Sequence, residues 1–356
     1  MTLEKRVKVF VKLGTFLKQF SEQAERQVDN ELNKALYNDL NELIKTVHFH
    51  NGWFTEDNVR CAISAIASSL NEALLNSWLS NYPEGSLKII KSKNVAVIMA
   101  GNIPLVGFHD LLCVLLSGNK FTGKLSSDDK LLMPFIAKII IAIEPEFGNS
   151  IEFTEGQLKN IHAVIATGSN NSARYFEYYF GKYPHIIRKN RNSVAVLTGT
   201  ESASELRQLG KDIFQYFGLG CRNVSKLFVP KGYDFGLFYE SIFAFHNVIN
   251  NNKYGNNYDY NRTVYLMSNH PSLLDNNFLL LKEDESYSSP IGVLFYEFYD
   301  DTLILNKKLK NDKEQLQCIV SNSTEIKNVI PFGKAQCPTL TDYADSIDTM
   351  GFLMRL

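Results

Sequence analysis

Apolar residues recur at intervals of three and four through roughly the first 85 positions of the chain. Residues three and four apart lie on the same side of a helix, so this spacing predicts amphipathic helices. The predicted apolar faces include Val7, Phe10, Val11, Gly14, Leu17, Phe20, Leu32, Leu40, Leu43, Ile63, Ile66, Leu70 and Leu74. We expect residues 1–86 to form a helical cap on the rest of the protein that contains no catalytic residues.

From about residue 87 the pattern changes to short apolar, β-branched runs that alternate with helical patterns. Strands are predicted in KNVAVIMAG, NKFTGKLSS, HAVIATG and RNSVAVLTG, and helices in VGFHDLLCVLLSG and LLMPFIAKIIIAI. This alternation is typical of a mostly parallel sheet, whose ligands bind beyond the carboxyl ends of the strands.

A second α/β region follows. A predicted helix in SELRQLGKDIFQYF leads into GLGCRNVSKLFVP, and strand-like runs follow in YLMSNH, FLLLKE, IGVLFYEFY and LQCIVS. Between them the asparagine-rich stretch NVINNNKYGNNYDYNRT has no clear period and predicts a long loop. We therefore expect four parts: the helical region 1–86, a sheet domain 87–196, a second α/β domain 197–325 and a carboxyl-terminal segment 326–356.

Charge and cysteine usage exclude several classes of protein. The 37 basic and 38 acidic residues are well mixed along the chain. Because the protein then lacks a strong positive electrostatic field to attract a polyanion, nucleic acid is not an expected partner. Lysines interrupt the amino-terminal apolar pattern, which therefore predicts neither a signal peptide nor an integral membrane segment. The five cysteines are widely spaced, without CxxC or a histidine at ligand spacing. They predict a reducing compartment, the cytoplasm by default, and no metal site.

Polar and glycine residues follow three of the predicted strands. These residues are Gly101 and Asn102, then Lys124, Ser126 and Ser127, and finally Gly168 and Ser169. At one edge of a parallel sheet such residues reach ribose and phosphate oxygens, so together they favour a dinucleotide site. Taken singly, each is also compatible with a turn, a helix cap or a solvated lysine. GNKFTGK matches the glycine and lysine positions of the P-loop pattern, but Leu125 stands where the pattern requires the magnesium-binding hydroxyl.

Cys221 lies in GLGCRNVSKLF, where Gly218 and Gly220 keep bulk away from the sulfur. A thiol beside bare backbone is open to a flat acyl carbon, and a thiolate is strongly nucleophilic. A lone cysteine is more often a small buried hydrophobe, and the local pattern alone favours that interpretation. Arg222 and Lys226 are nearby cations able to favour the thiolate.

In this order, the motifs resemble the aldehyde dehydrogenase superfamily over residues 90–356, and specifically its short acyl-CoA reductase branch, the fatty acyl reductases of bacterial bioluminescence. VAVIMAGNIP resembles the strand that ends in P-W-N, which gives Asn102 the oxyanion-hole position. GNKFTGKLSS resembles G-N-x-x-x-x-K-P-S-E, which makes Lys124 the ribose-binding lysine. ATGS resembles the turn that receives the pyrophosphate, and GLGCRNVSK the G-Q-x-C segment of the nucleophile. The closing FGKAQCPTLTDYADSIDTMGFL resembles the terminal signature of the acyl reductase branch.

Three departures from the superfamily pattern carry information. Ser127 stands where many NAD-using members carry glutamate, and the loss of that carboxylate favours NADPH over NADH. Arg188, in IIRKNRNSVAVL, stands where aldehyde-oxidising members carry a water-activating glutamate, so water is expected to be a poor acyl acceptor. SYSSPIG replaces the glutamate-F-G-P segment, which puts a contact to the nicotinamide ribose in doubt.

The resemblance implies an aldehyde-dehydrogenase-like α/β fold, with a Rossmann-type parallel-sheet cofactor domain, a catalytic α/β domain and an amino-terminal helical region. It implies NADPH-dependent reduction of a long-chain fatty acyl-CoA, or another acyl thioester, to the aldehyde through a thioacyl Cys221. An acyl-transferring protein partner is also implied, and a homo-oligomer stays open. The alternatives are a reductase of a short acyl-CoA or acyl phosphate, a cofactor-free cysteine acyltransferase or thioesterase, and a silent interaction subunit.

Overall fold

The computed structural model describes residues 1–21, 31–83, 85, 91–268 and 272–356. The chain divides into two compact units. Unit 1 consists of Met1–Lys189 and Thr339–Leu356, and unit 2 consists of Asn190–Pro338.

The amino-terminal part of unit 1 is helical, as predicted. Its helices are α1 (Leu3–Lys18), α2 (Glu31–Thr46), α3 (Glu56–Ser69) and α4 (Glu72–Leu79). Thr2, Thr55 and Asn71 cap three of them by accepting a backbone N–H within the first turn. None of the helices in the described ranges combines the length and the apolar composition that a membrane-spanning helix requires.

A five-stranded parallel sheet forms the rest of unit 1. Its elements are β1 (Asn94–Ile98), α5 (Phe108–Leu116), β2 (Lys120–Lys124), α6 (Leu132–Ile143), β3 (Ile151–Thr154), β4 (Ala163–Thr167), α7 (Asn170–Phe180) and β5 (His185–Arg188). The strand order is β3-β2-β1-β4-β5, with every pair parallel. The predicted alternation of strands and helices is confirmed, whereas the short outer strands β3 and β5 were not predicted.

Unit 2 contains a six-stranded sheet. Its elements are β6 (Asn192–Val196), α8 (Ala203–Phe214), β7 (Val224–Pro230), α9 (Gly236–Ile242), α10 (Asn252–Met267), β8 (Leu274–Asp275), β9 (Leu280–Glu283), β10 (Val293–Tyr299), α11 (Thr302–Asn311) and β11 (Leu316–Val320). The order is β11-β6-β7-β10-β9-β8, and only the β8–β9 pair is antiparallel. Both sheets agree with the predicted α/β class.

The asparagine-rich stretch is helical, so the prediction of a loop there was wrong. Asn251 caps α10 by accepting the N–H groups of Lys253 and Tyr254 at 3.0 and 3.2 Å. Tyr254 and Tyr258 are buried four residues apart on one face, and this packing outweighs the low helix propensity of asparagine. The predicted strand in YLMSNH was also wrong for residues 265–267, which belong to α10, while residues 269 and 270 lie outside the described residues.

The compact units differ from the four parts expected from the sequence. The helices of residues 1–86 share one hydrophobic core with the first sheet, and β6 belongs to unit 2 although we placed it in the 87–196 domain. The segment 326–356 is divided, because α12 (Thr349–Met354) buries Met350 and Leu353 in the core of unit 1. The assignment of cofactor binding and thiol chemistry to these parts remains a prediction.

Candidate functional site

The three predicted polar strand ends lie next to one another in unit 1. Ile98, the last residue of β1, pairs with Lys124 on β2 and with Ala166 on β4. The carboxyl ends of β2, β1 and β4 therefore form one continuous edge of the sheet. The chain order reverses between β1 and β4, and in open parallel sheets nucleotides bind in the crevice at such a switch point.

The loops after β1 and β2 are packed tightly against each other. A Cβ atom on Gly101 would lie 2.6 Å from Ser126 Oγ and 2.7 Å from Ser126 Cβ, so only glycine fits there. Ser126 Oγ accepts the N–H of Asp128 at 3.2 Å, which orders the turn that carries Ser127. Ser127 is exposed, and Asn102 and Lys124 are half-buried. The two loops therefore hold each other in place at this edge of the sheet.

The third strand end leads directly into a helix. Ser169 is exposed and caps α7 by accepting the N–H of Ser172 at 3.1 Å. A Cβ atom on Gly168 would lie 3.0 Å from the Phe176 ring, a tighter contact than most Cβ atoms make. A helix amino terminus at the switch point of a sheet favours phosphate groups. The residues at this edge fit a dinucleotide by their backbone geometry and by the chemistry of their side chains.

Cys221 lies in unit 2, in the turn that precedes β7. It is exposed, whereas Cys113 and Cys318 are buried. The interpretation of Cys221 as a small buried hydrophobe was therefore wrong. Cys337 is also exposed and Cys61 is half-buried. Within the described ranges, no group of three or more His, Cys, Asp or Glu side chains could hold a metal ion.

Hydrogen bonds of the Asn223 side chain stabilise the turn that contains Cys221. Its side-chain oxygen accepts the N–H of Gly220 at 2.8 Å, and its amide nitrogen donates to the carbonyl of Gln215 at 2.7 Å. Gly218 has a φ of +78°, a left-handed conformation that glycine adopts without strain. Asn223 is only 2% exposed, so the turn is anchored to the end of α8 by a buried side chain.

The two cations beside Cys221 have other partners. Arg222 Nε donates to the carbonyl of Ala335. The Lys226 side chain is fully buried, donates to the carbonyl of Glu285 at 2.7 Å and is paired with Glu297. Burial lowers the pKa of Lys226 despite this pairing. The hypothesis that these cations favour the thiolate gains no support from their contacts.

Asp212 is a buried acid near this turn that the sequence did not single out. Its carboxylate accepts the N–H groups of Gly333 and Ala335 at 2.6 and 3.0 Å. Burial raises the pKa of Asp212 to about 6. Ala335 thus joins Asp212 to Arg222, which gives the FGKAQC part of the closing motif a structural role beside the cysteine turn. The signal available in the sequence for this residue was an acidic side chain on the otherwise apolar face of α8.

We expect Asp212→Asn to change the pH dependence of stability. The unfolded carboxyl has a pKa of about 3.9, so between roughly pH 4 and 6 the folded protein binds more protons and its free energy of unfolding falls as pH rises. Asp212 accounts for about 3 kcal/mol of this fall. Asparagine satisfies only one of the two amides but does not titrate. In urea unfolding at several pH values, the stability of the variant relative to the wild type should rise through this window.

Asp129 provides the background for that comparison. Burial also raises the pKa of Asp129 to about 6, and this residue is unchanged in both proteins. The difference between the two curves therefore reports Asp212 alone. Parallel curves from about pH 4 to 7 would show that Asp212 does not titrate in this range.

Arg188 is buried in unit 1 and holds a bidentate ion pair. Its two terminal nitrogens donate to the Asp110 carboxylate at 2.6 and 2.8 Å, and one also donates to Thr349 Oγ1 at 2.9 Å. Burial disfavours the charge, but the attraction and hydrogen bonds of Asp110 outweigh it and raise the pKa of Arg188. This contact joins β5 to α5 and α12. The equivalence of Arg188 with the water-activating glutamate remains a prediction.

The structure resembles solved aldehyde dehydrogenases at low sequence identity. Aldehyde dehydrogenase 21 from Physcomitrella patens, in complex with the reaction product succinate, matches with a TM-score of 0.67 and 13% identity over 100% of this chain and 89% of its own. The putative aldehyde dehydrogenase PutA from Anabaena variabilis has a TM-score of 0.63 and 12% identity, covering 99% and 90% of the two chains. A mutant of aldehyde dehydrogenase C from Pseudomonas syringae, complexed with NAD+ and octanal, has a TM-score of 0.59 and 12% identity over 85% and 69%. These matches establish an aldehyde-dehydrogenase-like fold.

Sequence comparison assigns the family. No curated protein matches the chain in sequence. The model of the acyl-CoA reductase (LuxC) family matches residues 15–234, more than half of the chain. This range includes the three strand ends of unit 1 and the Cys221 turn of unit 2. The chain therefore belongs to the acyl-CoA reductase (LuxC) family.

Proposed function

We propose that the protein reduces a long-chain fatty acyl-CoA, or another acyl thioester, to the aldehyde with NADPH. The observation that carries this proposal is the exposed Cys221 in a turn fixed by buried hydrogen bonds. A thiol that is accessible and held in place can attack a carbonyl carbon, whereas a buried cysteine cannot. Membership of the acyl-CoA reductase family and the dinucleotide-compatible edge of unit 1 support the same reaction.

Cys221 is the nucleophile in the proposed mechanism. Its thiolate attacks the thioester carbonyl, the carbon–sulfur bond to the carrier breaks, and the carrier leaves as a thiol after taking up a proton. The backbone amide of Cys221 stabilises the oxyanion, and the resemblance assigns the same task to Asn102. One such donor typically contributes roughly 3 kcal/mol to the stability of the transition state. The product of this step is a thioacyl Cys221.

The edge of unit 1 would hold the cofactor. Lys124, at the end of β2, would contact the ribose, and Gly168, Ser169 and the amino terminus of α7 would hold the pyrophosphate. The dinucleotide supplies the hydride that reduces the acyl group. No carboxylate stands at the exposed Ser127, so a 2′-phosphate meets no repulsion from that position.

The thioacyl enzyme must survive until it is reduced, so a base that activates water would be harmful. Arg188 cannot serve as such a base, because a guanidinium does not lose its proton at physiological pH and this one is paired with Asp110. Reduction, and not hydrolysis, is therefore the proposed fate of the acyl group. The resemblance further implies that an acyl-transferring protein delivers the acyl group.

A screen of acyl-CoA chain lengths against NADPH and NADH tests this proposal. Aldehyde should form in an amount equal to the NADPH oxidised, and without cofactor the acyl group should be found on Cys221 by mass spectrometry. Reduction of only short acyl-CoA or acyl phosphate would support the related reductases. An acyl-Cys221 without dinucleotide binding in a fluorescence titration would support the cofactor-free acyltransferase or thioesterase. The absence of both aldehyde and acyl-Cys221 would refute the proposal.

We expect Ser127→Glu to shift the cofactor preference towards NADH. A carboxylate beside the 2′-phosphate repels it, and a cost of about 1–2 kcal/mol corresponds to a loss of roughly tenfold in kcat/KM with NADPH. NADH lacks this phosphate, so its kcat/KM should fall less than about threefold, roughly 0.6 kcal/mol. Ser127→Gln is the matched control, because it adds the same bulk without the charge. Equal losses in the Glu and Gln variants would place the 2′-phosphate elsewhere.

A further inference from the structure

Ser193 connects the cysteine turn to the interior of the second sheet. It is the second residue of β6 and is fully buried. Its Oγ donates to the carbonyl oxygen of Cys221 at 2.8 Å and accepts the N–H of Cys318, on β11, at 3.1 Å. One hydroxyl group therefore forms hydrogen bonds to the outer strand β11 and to Cys221, the candidate nucleophile.

This contact fixes one of the two peptide planes that flank Cys221. The plane before Cys221 is held separately, because the Gly220 carbonyl accepts the N–H of Asn223 at 2.9 Å. Peptide units are planar, so holding the plane on each side of a residue holds its φ and ψ. The direction of the Cα–Cβ bond of Cys221 is then set, and only rotation about that bond moves Sγ.

Ser225, on the adjacent strand β7, does not duplicate the contact of Ser193 with Cys221. Ser225 Oγ donates to the carbonyl of Tyr287 at 2.6 Å and lies 3.3 Å from the carbonyl of Ser193. Asn223 acts on the other side of the turn, towards α8. The Ser193 hydroxyl thus makes a contact with the Cys221 carbonyl that Ser225 and Asn223 do not make in the part of the chain that the structure describes.

We propose that Ser193 is a positioning residue that sets the direction of the Cys221 side chain for attack on an acyl carbonyl. The inference rests on the proposed function, since it assumes that Cys221 is the nucleophile. Misplacing a reacting atom by about 1 Å costs on the order of a hundredfold in rate. Loss of the hydroxyl would release the plane after Cys221 and let its side chain change direction, so the reactivity of the thiol would change and the rate of acyl transfer would fall.

The chain offers a matched control at the other end of the same strand. Ser321 is 1% exposed, and its Oγ donates to the carbonyl of Val196 at 2.8 Å. Ser321→Ala therefore removes a buried serine hydroxyl bonded to a carbonyl of β6, as Ser193→Ala does, but at the end away from Cys221. Ser193→Thr keeps the hydroxyl and serves as the rescue variant. Exposed Cys337, in the same unit, is an internal reference in every sample.

The experiment measures modification of Cys221 and Cys337 in each variant by mass spectrometry, with dodecanoyl-CoA and, separately, with iodoacetamide. In Ser193→Ala the rate of Cys221 acylation should fall at least about tenfold. In Ser321→Ala and Ser193→Thr it should stay within about threefold of the wild type, and Cys337 should react equally in all samples. Wild-type acylation in Ser193→Ala, or an equal fall in Ser321→Ala, would overturn the inference.

Failure of the proposed function gives a different result. If the wild type takes no acyl group, the proposed function fails, and the iodoacetamide experiment then decides on Ser193. A changed ratio of Cys221 to Cys337 alkylation in Ser193→Ala alone would support its positioning role, and an unchanged ratio would refute it. Should Ser193→Ala not fold, Ser193→Cys replaces it, because its thiol is of similar size but donates a much weaker hydrogen bond.

Discussion

Cys221→Ala should abolish acyl-CoA-dependent oxidation of NADPH, lowering kcat by about 10⁴-fold or more, since removal of a nucleophile leaves no covalent route. The acyl adduct at residue 221 should disappear together with the aldehyde. Cys221 is exposed, so the substitution leaves no cavity and the free energy of unfolding should change by less than about 0.5 kcal/mol. Aldehyde formation, adduct mass and urea unfolding measure these three quantities.

Cys337→Ala is the control for this prediction. Cys337 is an exposed cysteine of unit 2 as well, so its loss removes a second accessible thiol of the same unit and leaves Cys221 in place. We expect wild-type activity and an unchanged acyl adduct in this variant. Retained activity and labelling in Cys221→Ala, or loss of both in Cys337→Ala, would place the nucleophile at another residue.

The edge of unit 1 was predictable from the sequence because its signals are local. Apolar runs followed within three residues by glycine and a polar residue mark the ends of β1 and β4, and β2 itself ends in a glycine followed by Lys124. The parallel arrangement then follows from the alternation with helices, which brings these strand ends to one edge. Gly101 illustrates the point, since its closeness to Ser126 leaves room for no other residue.

Other features depend on contacts between distant residues, and no local pattern in the sequence identifies the partners. Ser193 and Cys318 are 125 positions apart, and Asp212 and Ala335 are 123 apart. The fold of the asparagine-rich stretch depends on burial of Tyr254 and Tyr258, which outweighs local propensity. The closing motif is divided between the two units, a division that no local signal announces.

Arg188, which stood out in the sequence as a departure from the superfamily pattern, forms a buried ion pair with Asp110. Both side chains are less than one-tenth exposed, and Thr349, which is fully buried, completes the contact from the carboxyl-terminal helix. A buried ion pair contributes little net stability when both partners are present, because desolvation offsets the attraction. Removing one partner is different, since a bare charge then remains in the core of unit 1.

Asp110→Leu should therefore lower the free energy of unfolding by about 3–5 kcal/mol, because the Arg188 guanidinium loses its counter-charge while buried. The double variant Asp110→Leu with Arg188→Met should recover most of this loss, since it removes both charges together. Urea unfolding of the wild type, both single variants and the double variant gives the coupling energy of the pair. A cost below about 1 kcal/mol for Asp110→Leu would contradict the prediction. Cys221 lies in unit 2, so the folded double variant should still take up an acyl group, which separates a structural role of Arg188 from a chemical one.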